Sequence, residues 1–183
     1  MSLWRPGIVL PSDKLAAGVI SEIKNALTPA QAVALTAWAE ARSRFDGRKW
    51  VSNPLDAMVD IINIIDNRAK DPRWAAVGHK GVCLARRQFS CWDTLGGPAN
   101  FYALMDRAQR LLAGQLPTDK LLGCLAAATG CVEGKSLVDT LSGSTHYYAP
   151  ASMLPAGAVP PWIKPPARFV TERHGHRFYT NVR

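Results

Sequence analysis

Thr28-Pro-Ala-Gln-Ala-Val-Ala-Leu-Thr-Ala-Trp-Ala-Glu40-Ala-Arg42 is the stretch that decides how the chain is read. Thr28 fits an N-cap, Pro29 the first helical position and Gln31 the third residue after the cap, which together make a capping box. Val33, Leu35 and Trp38 follow, so a helix begins at Thr28 and brings Glu40 to its C-terminal end. Upstream, Leu15, Val19, Ile20, Ile23 and Leu27 share one face of a helix expected over Ser12 to Leu27. Downstream, the polar and basic run Ser43 to Asn53 reads as a loop.

Asn53 and Pro54 open a further helix by the same cap logic. Its apolar residues Leu55, Met58, Ile62, Ile65 and Ala69 are spaced for one face, and it is expected to be the most buried helix, ending before Pro72. Residues 71–97 read as a loop. Pro98 begins a helix through Leu112 ended by Gly114, and Thr118 caps one ending at Gly130. The helical period then stops. Thr145-His-Tyr-Tyr148 suits a short strand, Pro155 to Pro166 crosses the surface extended, and 168–171 with 176–180 form a hairpin. The fold class is therefore α+β, mainly α, with a small antiparallel β-sheet near the C-terminus.

With 183 residues, 48% of them apolar and 20% charged, the chain can bury a single core. Its mean hydropathy of -0.05, with no apolar run near the roughly 20 residues that span a bilayer, excludes a transmembrane helix. The opening residues do not read as a secretory signal, so the expectation is synthesis in the cytoplasm and action in the periplasm after release. The formal charge is +8. Ten basic and six acidic residues fall between 40 and 92, and five basic and one acidic between 164 and 183. Such charge attracts nucleic acid, an anionic wall or an outer-membrane surface alike.

Cys83, Cys91, Cys124 and Cys131 form no C-x-x-C pair, and His79, His146, His174 and His176 do not sit at zinc-finger spacing. Neither a metal nor another cofactor is expected. The thiols read either as reduced and buried or as two within-pair disulfides.

Ala39-Glu40-Ala41-Arg42, Asn67-Arg68, Gln88-Phe89-Ser90-Cys91-Trp92, Gly143-Ser-Thr-His-Tyr-Tyr148 and His176-Arg-Phe-Tyr179 occur in this order. Together they resemble the SleB/CwlJ-type cell-wall hydrolases over roughly residues 28–180. The resemblance implies a lysozyme-like helical domain that cleaves the glycan of peptidoglycan. On that basis residues 1–27 are an N-terminal helical extension and 28–183 the catalytic core of a single domain. Where the family reads A-E-A-R-G-E, this chain has Ser43 and Arg44 after Arg42, Ser144 stands for the usual Ala, and 43–53 is an insertion.

Breaking the bond between N-acetylmuramic acid and N-acetylglucosamine needs a proton on the glycosidic oxygen. Glu40 is the candidate acid, set among Ala37, Trp38 and Ala41; a surface Glu paired with Arg44 is the bland alternative. A paired-acid hydrolase needs a second carboxylate, for which Asp46, Asp93 and Asp139 are candidates; a lytic transglycosylase needs none. Gln88, Ser90, Thr145 and His146 offer polar groups to a sugar, and Trp92, Tyr147 and Tyr148 offer ring faces. Phe89 and one of the tyrosines should be core. Trp92 fits groove or core equally, and His146 reads as structural or catalytic.

The function expected is thus a peptidoglycan glycosidase, specifically a lytic transglycosylase, in the setting of a phage endolysin. The alternatives are an N-acetylmuramoyl-L-alanine amidase and a basic nucleic-acid-binding module. Zinc, on which most wall amidases rely, has no ligand cluster in the sequence, and nucleic acid leaves the motifs unexplained. Partners are therefore glycan strands, with no nucleic acid, and the protein is expected to be a monomer. Arg173, Arg177 and Arg183 are expected to stay outside and draw it to an anionic wall or outer-membrane surface.

Overall fold

The computed structural model describes residues 9–41, 44–45, 50–51, 55–86, 88–94, 98–117, 120–135 and 138–182. Six helices are described: α1 Ala17–Ala26, α2 Pro29–Glu40, α3 Leu55–Lys70, α4 Gly78–Leu84, α5 Pro98–Leu112 and α6 Lys120–Val132. The strands are β1 Arg44–Phe45, β2 Trp50–Val51, β3 His146–Tyr148, β4 Arg168–Arg173 and β5 His176–Thr180. The protein is mainly helical, with a three-stranded antiparallel sheet in the order β3-β5-β4 near the C-terminus.

The capping box at Thr28 forms as the sequence predicts. The Gln31 amide donates to Thr28 Oγ1 at 3.2 Å, and the Thr28 amide donates to Gln31 Oε1 at 2.9 Å. What the periodicity misjudges is which helix is central. In α2 eight of twelve residues are buried, the unbroken run Ala32–Ala39, against nine of sixteen in α3. An amphipathic pattern marks a helix with one wet side, whereas α2 is apolar all round and therefore sits inside. It packs against α3, α4, α5 and α6. Val19, Ile23 and Leu27 from the α1 region join the same core. Gln109, buried on α5, exchanges hydrogen bonds with the Leu10 backbone in both directions, tying the N-terminal segment to the helices.

Several boundaries differ from the sequence reading. The first helix is a short turn at Ser12–Lys14 followed by α1. The segment read as loop over 71–97 contains α4, which buries Val82 and Cys83. With two glycines in seven residues, α4 is too short to display a period. α6 passes Gly130 and ends at Val132, and Gly134, at φ +71°, takes the left-handed position that a side chain disfavours. Residues 44–45 and 50–51 pair as a two-stranded ribbon within the stretch read as loop. The rest of that stretch, the Asn53 and Thr118 caps, Asp46 and Arg183 lie outside the described residues.

The sheet has two unlike faces because alternate residues of a strand point oppositely. Tyr147 stands opposite Phe178 in register, and His146 opposite Tyr179. Phe178 packs with Ile64 and Leu141 toward the helices, with Tyr147 against them. Tyr148, Tyr179 and Val182 form a separate cluster with Met153, Trp162, Ile163 and Ala167 of the Pro-rich segment. The β4–β5 hairpin turns through His174 (φ 52°) and Gly175 (φ 77°).

That hairpin is clamped to α3 by a side chain expected to be free. Arg173 donates through Nε to Asp60 Oδ2 at 2.7 Å, through Nη2 to Asp60 Oδ1, and through Nη2 to Thr140 Oγ1 at 2.6 Å. Asp60 is 1% exposed. A carboxylate that deep needs a cation, so Arg173 serves the fold rather than surface attraction. Arg177 also has partners, donating to Glu172 at 2.6 Å and to the Tyr148 hydroxyl at 3.3 Å.

Candidate active site

Glu40 is the last residue of α2, which ends there, with Ala41 as its C-cap. The helix therefore does not run on to place Arg44 one turn beyond it. Two other chain segments close on the carboxylate. The Tyr147 hydroxyl donates to Oε2 at 2.8 Å. The Cys91 amide donates to Oε1 at 3.0 Å, and Ser90 Oγ stands at 3.5 Å from the same oxygen. The site is thus a junction of the central helix, the turn after Gln88 and β3. Burial and the nearby Glu40 carboxylate push the Tyr147 phenol well above its ordinary pKa, so it remains a neutral donor. His176, 3% exposed, packs edge-on against Tyr147 with ring centroids 5.3 Å apart. Its pKa is lowered, chiefly by burial, which favours the neutral imidazole.

The residues expected to form one groove divide into three groups. Glu40, Ser90 and Tyr147 meet directly. Gln88 joins them at one remove through Arg68, whose Nη1 reaches its side-chain oxygen at 3.2 Å and its carbonyl at 3.4 Å. Thr145 and His146 lean on each other, with Oγ1 and Nδ1 at 3.0 Å. The His146 ring lies between Trp74, at 6.0 Å, and Trp162, at 5.2 Å, on the face of β3 away from Tyr147. Burial and then the Arg68 and Arg73 charges lower the His146 pKa to about 4, so the ring is neutral at pH 7.

Trp92, which fits groove or core equally by sequence, lies in the core, and Tyr148 is the tyrosine of the pair that turns away from Glu40 into the core. Trp92 is 4% exposed, and its indole N–H donates to Thr36 Oγ1 at 2.8 Å. Tyr148 is 7% exposed and packs against Trp162 and Tyr179. Rings enclosed in this way have no face to offer a pyranose. Phe89, at 2% exposure, is core as the alternation predicts. Trp74, Trp162, His176 and Arg68 stand around the site without having been singled out as candidates. The Asn67-Arg68 motif was the signal for the last, although it carried no role.

Among the candidate second carboxylates, Asp139 accepts from the Leu141 and Gly143 amides at 2.8 and 2.6 Å, so it shapes its own turn. Asp93 acts electrostatically on Lys24. All four cysteines are free and buried. Burial pushes Cys83, Cys124 and Cys131 up to about 12, and Cys91 upward too, leaving thiols rather than nucleophilic thiolates.

Asp66, His79 and Cys131 are the group among the described residues that could hold a metal, with ligand atoms within 4.8 Å of one another. Asp66 is already engaged by His79 at 3.1 Å and by the Lys70 ammonium at 2.5 Å. An ammonium so placed opposes a second cation at this cluster.

No helix is long and apolar enough to cross a membrane among the described residues. No curated protein and no solved structure matches the chain. A family model described as Cell Wall Hydrolase matches residues 52–179. That span holds the Gln88–Cys91 turn and β3, the two segments that close on Glu40, and most of β5, while Glu40 itself precedes it. Most of the chain being covered, the protein belongs to the cell wall hydrolase family, and the substrate of such an enzyme is peptidoglycan.

Proposed function

We propose that the protein cleaves the glycan bond between N-acetylmuramic acid and N-acetylglucosamine as a lytic transglycosylase, with Glu40 as its acid and base. The observation that carries this reading is the setting of the Glu40 carboxylate. Its described partners are a phenol, an amide and a hydroxyl; of the candidate second acids, Asp139 is engaged in capping its own turn and Asp46 lies outside the described residues. A paired-acid hydrolase requires two carboxyl groups roughly 5 to 9 Å apart.

In the proposed reaction protonated Glu40 gives its proton to the glycosidic oxygen as the C1–O bond breaks and C1 takes on oxocarbenium character. The carboxylate formed then accepts the proton of the muramic C6 hydroxyl, whose oxygen bonds to C1 and closes a 1,6-anhydro ring. Glu40 ends protonated, ready for another cycle. The Tyr147 hydroxyl and the Cys91 amide hold the carboxylate in one orientation through both steps. Ser90 lies beside it, Gln88 stands one contact further off through Arg68, and both offer hydrogen bonds to the sugar.

Replacing Glu40 with Gln keeps the size and removes the transferable proton. Clearing of a peptidoglycan suspension should fall by a factor on the order of 10² or more with the fold intact. A folded Glu40→Gln protein of near-normal activity would take Glu40 out of the mechanism.

A further inference from the structure

Asn67 and Arg68 close α3, and the reaction above gives neither a task. Asn67 Nδ2 donates to the Ser144 carbonyl at 3.0 Å, and Arg68 Nε donates to the Thr145 carbonyl at 2.6 Å. Two successive residues of a helix end thus hold two successive carbonyls of the segment entering β3. The other side of the guanidinium reaches the Gln88 carbonyl and side-chain oxygen. Arg68 is only 5% exposed, with Phe89 at 4.9 Å and Trp74 at 5.6 Å from its central carbon. Its described hydrogen-bond partners are neutral oxygens. Desolvating a guanidinium for neutral partners is costly, so packing alone does not account for a charge at this point.

What the charge joins gives the reason. Thr145 stands two residues before Tyr147, the donor to Glu40 Oε2, and Gln88 stands three residues before Cys91, the donor to Oε1. We propose that Arg68, aided by Asn67, is the positioning residue of this site: its planar fork sets where both donors to the Glu40 carboxylate stand. A rigid fork with several donors can hold two segments at once, which the single point charge of lysine cannot. The inference rests on the reading of Glu40 as the reacting group.

The test compares kcat and melting temperature on purified peptidoglycan for wild type, Arg68→Lys, Asn67→Ala, Tyr147→Phe, the two double variants with Tyr147→Phe, and Glu40→Gln. Displacing the donors by a fraction of an ångström to an ångström should lower kcat of folded Arg68→Lys by about 10- to 100-fold. Asn67→Ala should lower it by about 3- to 10-fold, because one carbonyl contact is lost and the fork remains. In the Tyr147→Phe background the Arg68→Lys loss should shrink by at least about fivefold and the Asn67→Ala loss to less than about twofold, since one of the donors being positioned is already gone. A merely structural arginine would lower the melting temperature without that coupling.

Wild-type kcat in folded Arg68→Lys, or losses fully additive with Tyr147→Phe, would overturn the proposal. Should Arg68→Lys fail to fold, Asn67→Ala decides by the same two criteria. An inactive Glu40→Gln beside a fully active Arg68→Lys would remove the positioning role alone. An active Glu40→Gln would remove the reading of Glu40, and the positioning role with it.

Discussion

At the scale of single residues, the site is a carboxylate whose surroundings are set by hydrogen-bond donors more than by apolar walls. Tyr147→Phe removes the 2.8 Å donor to Glu40 and leaves the ring in place against Phe89 and Phe178. Its kcat should fall by about 10-fold, with a melting temperature within a few degrees of wild type, as steady-state kinetics beside a thermal melt would show. An unchanged kcat would mean that the phenol does not hold the reacting form. Asp139→Asn should behave in the opposite way. It weakens the cap on the Leu141 and Gly143 amides and so lowers stability, while kcat of the folded protein stays within about twofold. Lost turnover in a stable Asp139→Asn protein would restore it as a second acid and favour hydrolysis. The motif singles out Glu40 as a candidate, but its donors are not legible there. Tyr147 Oη and the Cys91 amide meet it across 107 and 51 residues of sequence, and nothing in the local pattern records such a meeting.

Elements differ in how much of themselves they disclose. The start of α2 was readable because a capping box involves only neighbours, and the β4–β5 hairpin because alternation and a His-Gly turn are local. α4 was hidden by its length, and the centrality of α2 by the absence of any polar face. Asp60 and Arg173 lie 113 residues apart, so the clamp between α3 and the hairpin could not be anticipated. Removing the partly exposed Arg173 leaves the buried Asp60 carboxylate without compensation. Arg173→Met should therefore cost about 3 to 5 kcal/mol in denaturant unfolding, and adding Asp60→Leu should recover part of the loss. A loss below about 1 kcal/mol would return Arg173 to the surface role expected from sequence.

The whole molecule should be less stable in mild acid. His146 and His176 both have folded-state pKa values lowered mainly by burial, His146 to about 4. The unfolded chain therefore takes up protons on these rings first as pH falls. Stability is fully present above the unfolded value near 6.5 and declines toward pH 4. Asp66 and Asp71, lowered below their ordinary values, add to the decline only at still lower pH. Melting temperature should fall steadily from pH 7 to pH 4, and His146→Gln should flatten part of the slope. A flat wild-type profile would contradict the neutral burial of both rings. If the basic C-terminal segment draws the protein to anionic walls, then with Arg173 withdrawn the exposed Lys164 and Arg168 are the residues to test. Exposed charges act over about 8 to 10 Å at physiological salt, so neutralising both should raise KM on whole walls at low salt. Turnover of a short soluble glycan should not change.

Digesting purified peptidoglycan and weighing the released muropeptides tests the central claim most directly. Cleavage by a single acid and the muramic C6 hydroxyl predicts 1,6-anhydro ends, each lighter by one water than the reducing end that hydrolysis leaves. Reducing ends alone would show that water attacks C1 and that a second group activates it. Free stem peptide with intact glycan strands would contradict glycan cleavage altogether.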